Sequence, residues 1–271
     1  MNRAGPSSIL APVNPALPPI PRVALVTGAG RRIGRALALA LAQDGYALAL
    51  HYHQSRGDAE ALAAEIAKGG GKAIAIGANL AAEKDVVVLA KKAAGALGPL
   101  GVLVNNASLF ERDEALDATR ESWDGHLETN LRAPFVLSQA LAKGLPAGSE
   151  GVIVNLLDQR VWNLTPHFVS YTVSKAALWT LTQTLALALA PRIRVNAIGP
   201  GPTLPSPRQD PDQFARQVAS VPLQRGPSLE EMVTTLRFIL GARSLTGQMI
   251  ALDGGQHLNW HPPAPGHGVE E

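Results

Sequence analysis

Short apolar runs rich in β-branched residues alternate with longer Ala- and Leu-rich stretches of helical period through the middle of the 271-residue chain. The short runs are Arg22 to Thr27, Ala47 to Tyr52, Lys72 to Ile76, Val102 to Asn105, Val152 to Leu156, Arg194 to Ala197 and Met249 to Leu252. Between and around them lie Ile33 to Asp44, Asp58 to Lys68, Glu83 to Leu97, Trp123 to Lys143, Val169 to Ala190 and Leu229 to Leu240. Parallel neighbours need a crossover of a dozen or more residues, which a helix supplies. The repetition therefore predicts an α/β fold: one doubly wound domain around a seven-stranded parallel sheet, which a chain of this length fills once. Ligands bind beyond the carboxyl ends of the strands in such a sheet, so the residues just after each strand are the candidates for chemistry.

The ends of the chain have a different character. Residues 1–20 carry Pro6, Pro12, Pro15, Pro18 and Pro19 and lack both the charged start and the apolar core of a secretory signal. They read as a flexible tail before a domain over 21–260, with a second flexible tail over 261–271. No apolar run approaches the ~20 residues that a membrane span needs, and the expected location is the cytoplasm. The absence of cysteine excludes disulfides and thiolate chemistry. A net charge of +2 from scattered Lys and Arg gives no nucleic-acid footprint, and steering of a phosphorylated small molecule is sufficient to explain it. His126, His167 and His257 have neither the spacing nor the neighbours of a metal-ligand set.

The first run leads directly into Thr27-Gly28-Ala29-Gly30-Arg31-Arg32-Ile33-Gly34 and then into an Ala/Leu helix. Strand, glycine-rich turn and helix is the order a dinucleotide requires, because the backbone must approach the pyrophosphate and the helix N-terminus supplies amide donors. The glycines stand at 28, 30 and 34, one residue longer than the general G-x-G-x-x-G spacing. After the second run the chain reads His51-Tyr52-His53-Gln54-Ser55-Arg56, without the acid that binds a ribose 2′-hydroxyl in NAD enzymes. Arg31, Arg32, Ser55 and Arg56 instead suit a 2′-phosphate, which predicts NADPH. A solvated loop accounts for any one of these residues equally well; the group together favours phosphate.

Tyr171-Thr172-Val173-Ser174-Lys175 places a phenol and an ammonium four residues apart on one helix face, where the cation stabilises phenolate. The pair follows the fifth run by about fifteen residues and precedes Arg194-Val195-Asn196-Ala197-Ile198-Gly199-Pro200-Gly201. Together with the glycine turn and Asn105-Asn106-Ala107-Ser108, this order resembles the short-chain dehydrogenase/reductase family over roughly residues 22 to 256. The resemblance implies a Rossmann-type fold with Tyr171, Lys175 and Asn130 as catalytic residues, Asn130 serving a water-linked proton relay. It implies coenzyme contacts from Gly28, Arg31, Arg32 and Ile33 in the first turn and from His51, His53, Ser55 and Arg56 after the second strand. Further contacts are implied from Asn79, Leu80, Asn105, Ala107, Ser108, Tyr171, Lys175, Pro200 and Gly201. Asn79 and Gly101 replace acids usual in the family, which bears on adenine recognition. A homotetramer is implied as well.

Thirteen residues before Tyr171, where most members carry a catalytic Ser, this chain has Asp158. That Asp, with the Gly-Arg-Arg-Ile-Gly turn, His51-Tyr52-His53 and Asn105 to Phe110, resembles the pteridine reductase and dihydromonapterin reductase branch. The likeness makes Arg32, Ser108, Phe110, Asp158 and Tyr171 substrate residues, with Phe110 covering a pterin; on its own Phe110 reads equally well as a core aromatic. A C=N bond takes hydride at carbon and a proton at nitrogen, so a carboxyl group beside the phenol suits a heterocyclic imine, whereas a ketone asks only for hydroxyls. The expected activity is NADPH-dependent reduction of a dihydropterin, with dihydrofolate as a slower substrate. A carbonyl reductase is the alternative, and a nucleotide-sensing scaffold without turnover is a third reading that the complete Tyr-Lys-Asn set argues against. The Pro-rich segment from Pro202 to Pro222 should cover the substrate and has no regular element in this reading.

Overall fold

The computed structural model describes residues 17–205 and 210–258. Strands are β1 (Val23–Val26), β2 (Ala47–Tyr52), β3 (Ala73–Gly77), β4 (Val102–Asn105), β5 (Gly151–Leu156), β6 (Ile193–Pro200) and β7 (Met249–Leu252). They form one parallel sheet in the order β3-β2-β1-β4-β5-β6-β7. Alternating residues along the buried strands enter two different cores. Leu25, Leu103, Ile153 and Val195 meet α3 (Glu83–Leu97) and α5 (Ala133–Gly144) through Leu89, Leu137 and Leu141. Ala24, Val26, Val104 and Val154 meet α1 (Arg32–Gln43) and α8 (Leu229–Gly241) through Leu37, Leu41, Met232 and Leu236. Strands buried on both faces read as continuous apolar runs, which is why periodicity picked them out. Chain order reverses between β1 and β4, and the crevice for a ligand opens there.

Two expectations change. The single helix predicted over Trp123 to Lys143 is α4 (Arg120–Leu127), a π-helical turn (Glu128–Arg132) and α5. It begins three residues early because the Thr119 side chain accepts from the Ser122 amide at 3.1 Å. The segment from Pro202 to Pro222 does contain a helix, α7 (Pro211–Ser220). Asp210 accepts from the Asp212 amide at 2.9 Å, Gln213 accepts from the Asp210 amide at 3.0 Å, and Pro211 occupies the first helical position, where its missing N–H is harmless.

Of the predicted tails, residues 1–16 and 261–271 lie outside the described residues. Pro19 is already joined to the domain, its carbonyl accepting from the Glu150 amide at 3.0 Å, and the Pro18 carbonyl accepts from Arg243 at 3.1 Å. Among the described residues, no helix is long and apolar enough to cross a membrane.

Candidate active site

Where β1 ends, the chain must turn tightly enough for α1 to start beneath it. Gly28 sits at φ +63, and a Cβ on Gly34 would stand 2.2 Å from the Gly28 carbonyl oxygen, so the turn and the helix close on each other only with glycine at 34. Thr27 Oγ1 accepts from the amides of Asn106 and Ala107, each at 2.9 Å, and Asn106 Nδ2 donates to the carbonyls of Thr27 and Gly28. Gly28 N–H in turn donates to His51 Nδ1 at 3.1 Å, while His51 Nε2 donates to the Ala78 carbonyl at 3.1 Å. Burial holds His51 down to about 4, so this imidazole is neutral and both nitrogens are committed to bracing the turn.

The turn, the β2 end and the β4 end enclose a cleft of about 820 Å³ lined by Gly28, Arg31, Arg32, Ile33, His51, His53, Gln54, Ser55, Asn79, Leu80, Ala107 and Ser108. A backbone cradle that a side chain would fill, next to exposed cations and a Ser hydroxyl, fits a dinucleotide phosphate. A second cavity of about 620 Å³ adjoins it, sharing Arg32, Ile33, Ser108 and Leu109, and is lined further by Phe110, Asp158, Arg160, Tyr171, Pro200 and Gly201.

The residues predicted to carry the chemistry meet at this second cavity. Tyr171 lies in the first turn of α6 (Val169–Ala188), and its phenol donates to Asp158 Oδ2 at 2.9 Å. Lys175, fully buried one turn later, donates from Nζ to the Leu156 carbonyl at 2.8 Å and stands 5.7 Å from the centroid of the Tyr171 ring. Burial lowers the Lys175 ammonium to about 8, with the charge of Asp158 opposing the fall. Asn130 sits inside the π turn, where one extra residue re-aims the chain. Its Oδ1 accepts from the Leu109 amide at 2.8 Å and its Nδ2 donates to Ser174 Oγ at 3.0 Å, joining the loop after β4 to the helix that carries Tyr171. A phenol, a carboxylate and a buried ammonium around one opening, beside a dinucleotide cleft, can deliver a proton where a hydride arrives.

The model of the short chain dehydrogenase family matches residues 22–213. The chain belongs to that family. One relative is a 3-oxoacyl-[acyl-carrier-protein] reductase, FabG of Staphylococcus epidermidis, 34% identical over 87% of this chain and 98% of that protein. Two similar solved structures are FolM alternative dihydrofolate reductase 1 from Brucella canis and from Brucella suis, each with NADP. They are 51% and 52% identical, both with a TM-score of 0.86 over 89% of this chain and 96% of theirs.

Several predicted contacts of this dehydrogenase fall elsewhere in the structure. Arg56 does not line the cleft: it stands in the first turn of α2 (Arg56–Lys68) and pairs with Glu60 one turn on at 2.7 Å. Arg31 does line it, held by Asp58 at 2.5 Å. The Asn105 side chain points into the sheet and donates to Asn155 Oδ1 at 2.8 Å, while its neighbour Asn106 takes the place in the cleft. Gly101 is remote from it; a Cβ there would meet the Pro21 carbonyl at 2.1 Å, which explains the missing acid by space. Arg32, at φ +52, donates to the carbonyls of Pro205 and Leu204 at 2.7 and 3.0 Å, tying the first turn to the segment over the second cavity. Phe110 lines that cavity, stacked on Phe168 at 4.5 Å with its edge relation to Tyr171 at 4.6 Å.

A further network was not anticipated. Buried Asp113 accepts from the Ser170 amide at 3.1 Å, from Ser122 Oγ at 2.9 Å and from Ser170 Oγ, and so caps α6 from a distant segment. His126 Nε2 accepts from the Glu111 amide at 3.1 Å while Nδ1 faces Ser170 Oγ at 2.7 Å. His167 pairs with Glu114 at 2.8 Å and His257 with Asp253 at 2.7 Å, so each of these three histidines has a structural partner.

Proposed function

We infer that this chain is an NADPH-dependent reductase of a pteridine C=N bond, acting on a dihydropterin and more slowly on dihydrofolate. The observation that carries the reading is the Tyr171–Asp158 hydrogen bond at 2.9 Å, which puts a carboxylate where a ketone reductase needs only a hydroxyl. The FolM structures, at 51% and 52% identity, support it. Arg31 and Ser55, with no acid over His51 to Ser55 at the end of β2, favour the 2′-phosphate of NADPH, and the coenzyme when bound supplies the hydride. Tyr171 holds the transferable proton at its phenol oxygen. Asp158 directs that O–H and accepts from N–H groups of the substrate ring. Lys175 places positive charge behind the phenol, favouring the phenolate left after transfer. Asn130 fixes the spacing between Ser108, Leu109 and α6. The family likeness supports a homotetramer as the active form, to be checked as a mass by light scattering at micromolar concentration.

The likeness to FabG favours a second reading, a general carbonyl reductase with the same coenzyme. Loss of NADPH absorbance with dihydromonapterin, dihydrobiopterin, dihydrofolate and a ketone panel separates the two. Turnover of ketones without turnover of any dihydropterin removes the pteridine reading.

A further inference from the structure

Arg160 is a buried charge at the reacting end that the mechanism above does not use. It sits in the 3₁₀ turn Gln159–Val161, two residues after Asp158, and its side chain is 4% exposed. The guanidinium carbon lies 5.6 Å from the centroid of the Phe110 ring, 5.4 Å from that of Phe168 and 5.5 Å from that of Tyr171. Its Nε is 3.4 Å from Asp158 Oδ1, the same oxygen that accepts from the Arg160 amide at 2.9 Å. One cation thus touches the loop after β4, the start of α6 and the carboxylate after β5. A delocalised, planar cation is suited to this, because it stacks on rings and pairs with a carboxylate at once.

The two oxygens of Asp158 have separate partners. Oδ1 accepts from the Arg160 amide and forms an ion pair with its guanidinium, and Oδ2 is left to Tyr171 and to the cavity. Without the guanidinium the carboxylate is free to turn about its own bonds, and the stacked rings of Phe110 and Phe168 lose the cation beside them. We propose that Arg160 is the positioning residue of the reacting end, fixing the Asp158 carboxylate against the Tyr171 phenol and seating Phe110 at the cavity wall. The inference rests on the reductase reading but not on which substrate class is reduced, since it concerns how Asp158 is held.

The test compares Arg160→Met and Arg160→Lys in the wild-type and Asp158→Asn proteins, with whichever of dihydropterin or diketone the wild type turns over. Arg160→Met should lower kcat by at least about thirtyfold, with KM and the NADPH Kd changed by no more than about threefold, as misaiming of a reacting group does. Arg160→Lys keeps the charge and loses the delocalised planar group, so its loss should lie between about threefold and tenfold. In the Asp158→Asn protein either change should cost no more than about twofold further, because residues that act through one another are not additive. Equal losses in both backgrounds would mark a merely structural residue and overturn the proposal, as would kcat within about twofold of wild type for Arg160→Met. If the Met variant fails to bind NADPH, the Lys variant carries the same comparison. Absence of dihydropterin turnover by the wild type sinks the pteridine reading alone and leaves these ratios to be read with the diketone.

Discussion

Replacing Asp158 with Ser separates the two substrate readings, because Ser is the residue most of the family carries there. The change removes a carboxylate that accepts from Tyr171 at 2.9 Å and from the Arg160 amide at 2.9 Å, with the Arg160 Nε at 3.4 Å. At an effective dielectric of ~20 the charge pair attracts by ~5 kcal/mol before desolvation is subtracted. What survives of such a pair, together with the hydrogen bonds, is nearer 1–3 kcal/mol, so the midpoint of thermal unfolding should fall by a few degrees to about ten. The protein therefore stays folded at assay temperature, and catalysis can be read apart from stability.

In the pteridine reading the carboxylate orients the proton donor and the substrate ring, a contribution of roughly 10²- to 10⁴-fold in kcat/KM, or ~2.7–5.5 kcal/mol. Ketone turnover should persist or rise in the same variant, since a hydroxyl beside Tyr171 is enough to bind one carbonyl oxygen. The assay is kcat/KM for dihydromonapterin and for a reactive diketone, with NADPH affinity by fluorescence as the control. Pterin turnover within about twofold of wild type would limit the role of Asp158 to ~0.4 kcal/mol and refute the reasoning from the carboxylate.

The other predictions use the same readouts. Tyr171→Phe should lower turnover at least about a hundredfold with NADPH affinity nearly unchanged, since only the donor is lost; undiminished turnover would show that the proton comes from elsewhere. Gly34→Ala puts a methyl 2.2 Å from the Gly28 oxygen, and should weaken NADPH binding at least about tenfold, measured by titration. NADPH should bind at least about tenfold tighter than NADH, or ~1.4 kcal/mol, and equal dissociation constants would remove the 2′-phosphate argument. Lys175 loses its proton as pH rises through about 8, so kcat/KM should fall across that range, and in Asp158→Ser the alkaline limb should move to lower pH because the charge opposing desolvation is gone.

What could be read along the chain was whatever acts through neighbours in sequence. Continuous apolar runs gave the seven strands, the Gly28 to Gly34 turn gave the cleft, and a four-residue spacing gave Tyr171 and Lys175 on one helix face. The α7 helix was hidden because prolines outweighed a capping box that the string Asp210-Pro211-Asp212-Gln213 does contain, and proline at the first helical position is a start rather than a break. Arg31 and Arg56 looked interchangeable as phosphate ligands. Their difference comes from Glu60 and Asp58, whose placement on α2 leaves one guanidinium outside the cleft and the other at its wall.

Polarity alone could not tell His51 the coenzyme contact from His51 the brace, since both stand at the same strand end. Only burial decides it: a desolvated ring with a donor to Ala78 and an acceptor for Gly28 has no proton to spare for an anion. The same holds for Asp113, His126 and Ser170, whose sequence separations of 44 and 57 residues vanish when α4 packs on α6. Their hydrogen bonds hold the loop carrying Phe110 to the helix carrying Tyr171. The wall of the second cavity and Tyr171 are therefore joined by residues that no local pattern connects, and of the four charged residues lining that cavity, among those described, Arg160 is the one whose guanidinium lies within 5.6 Å of three ring centroids.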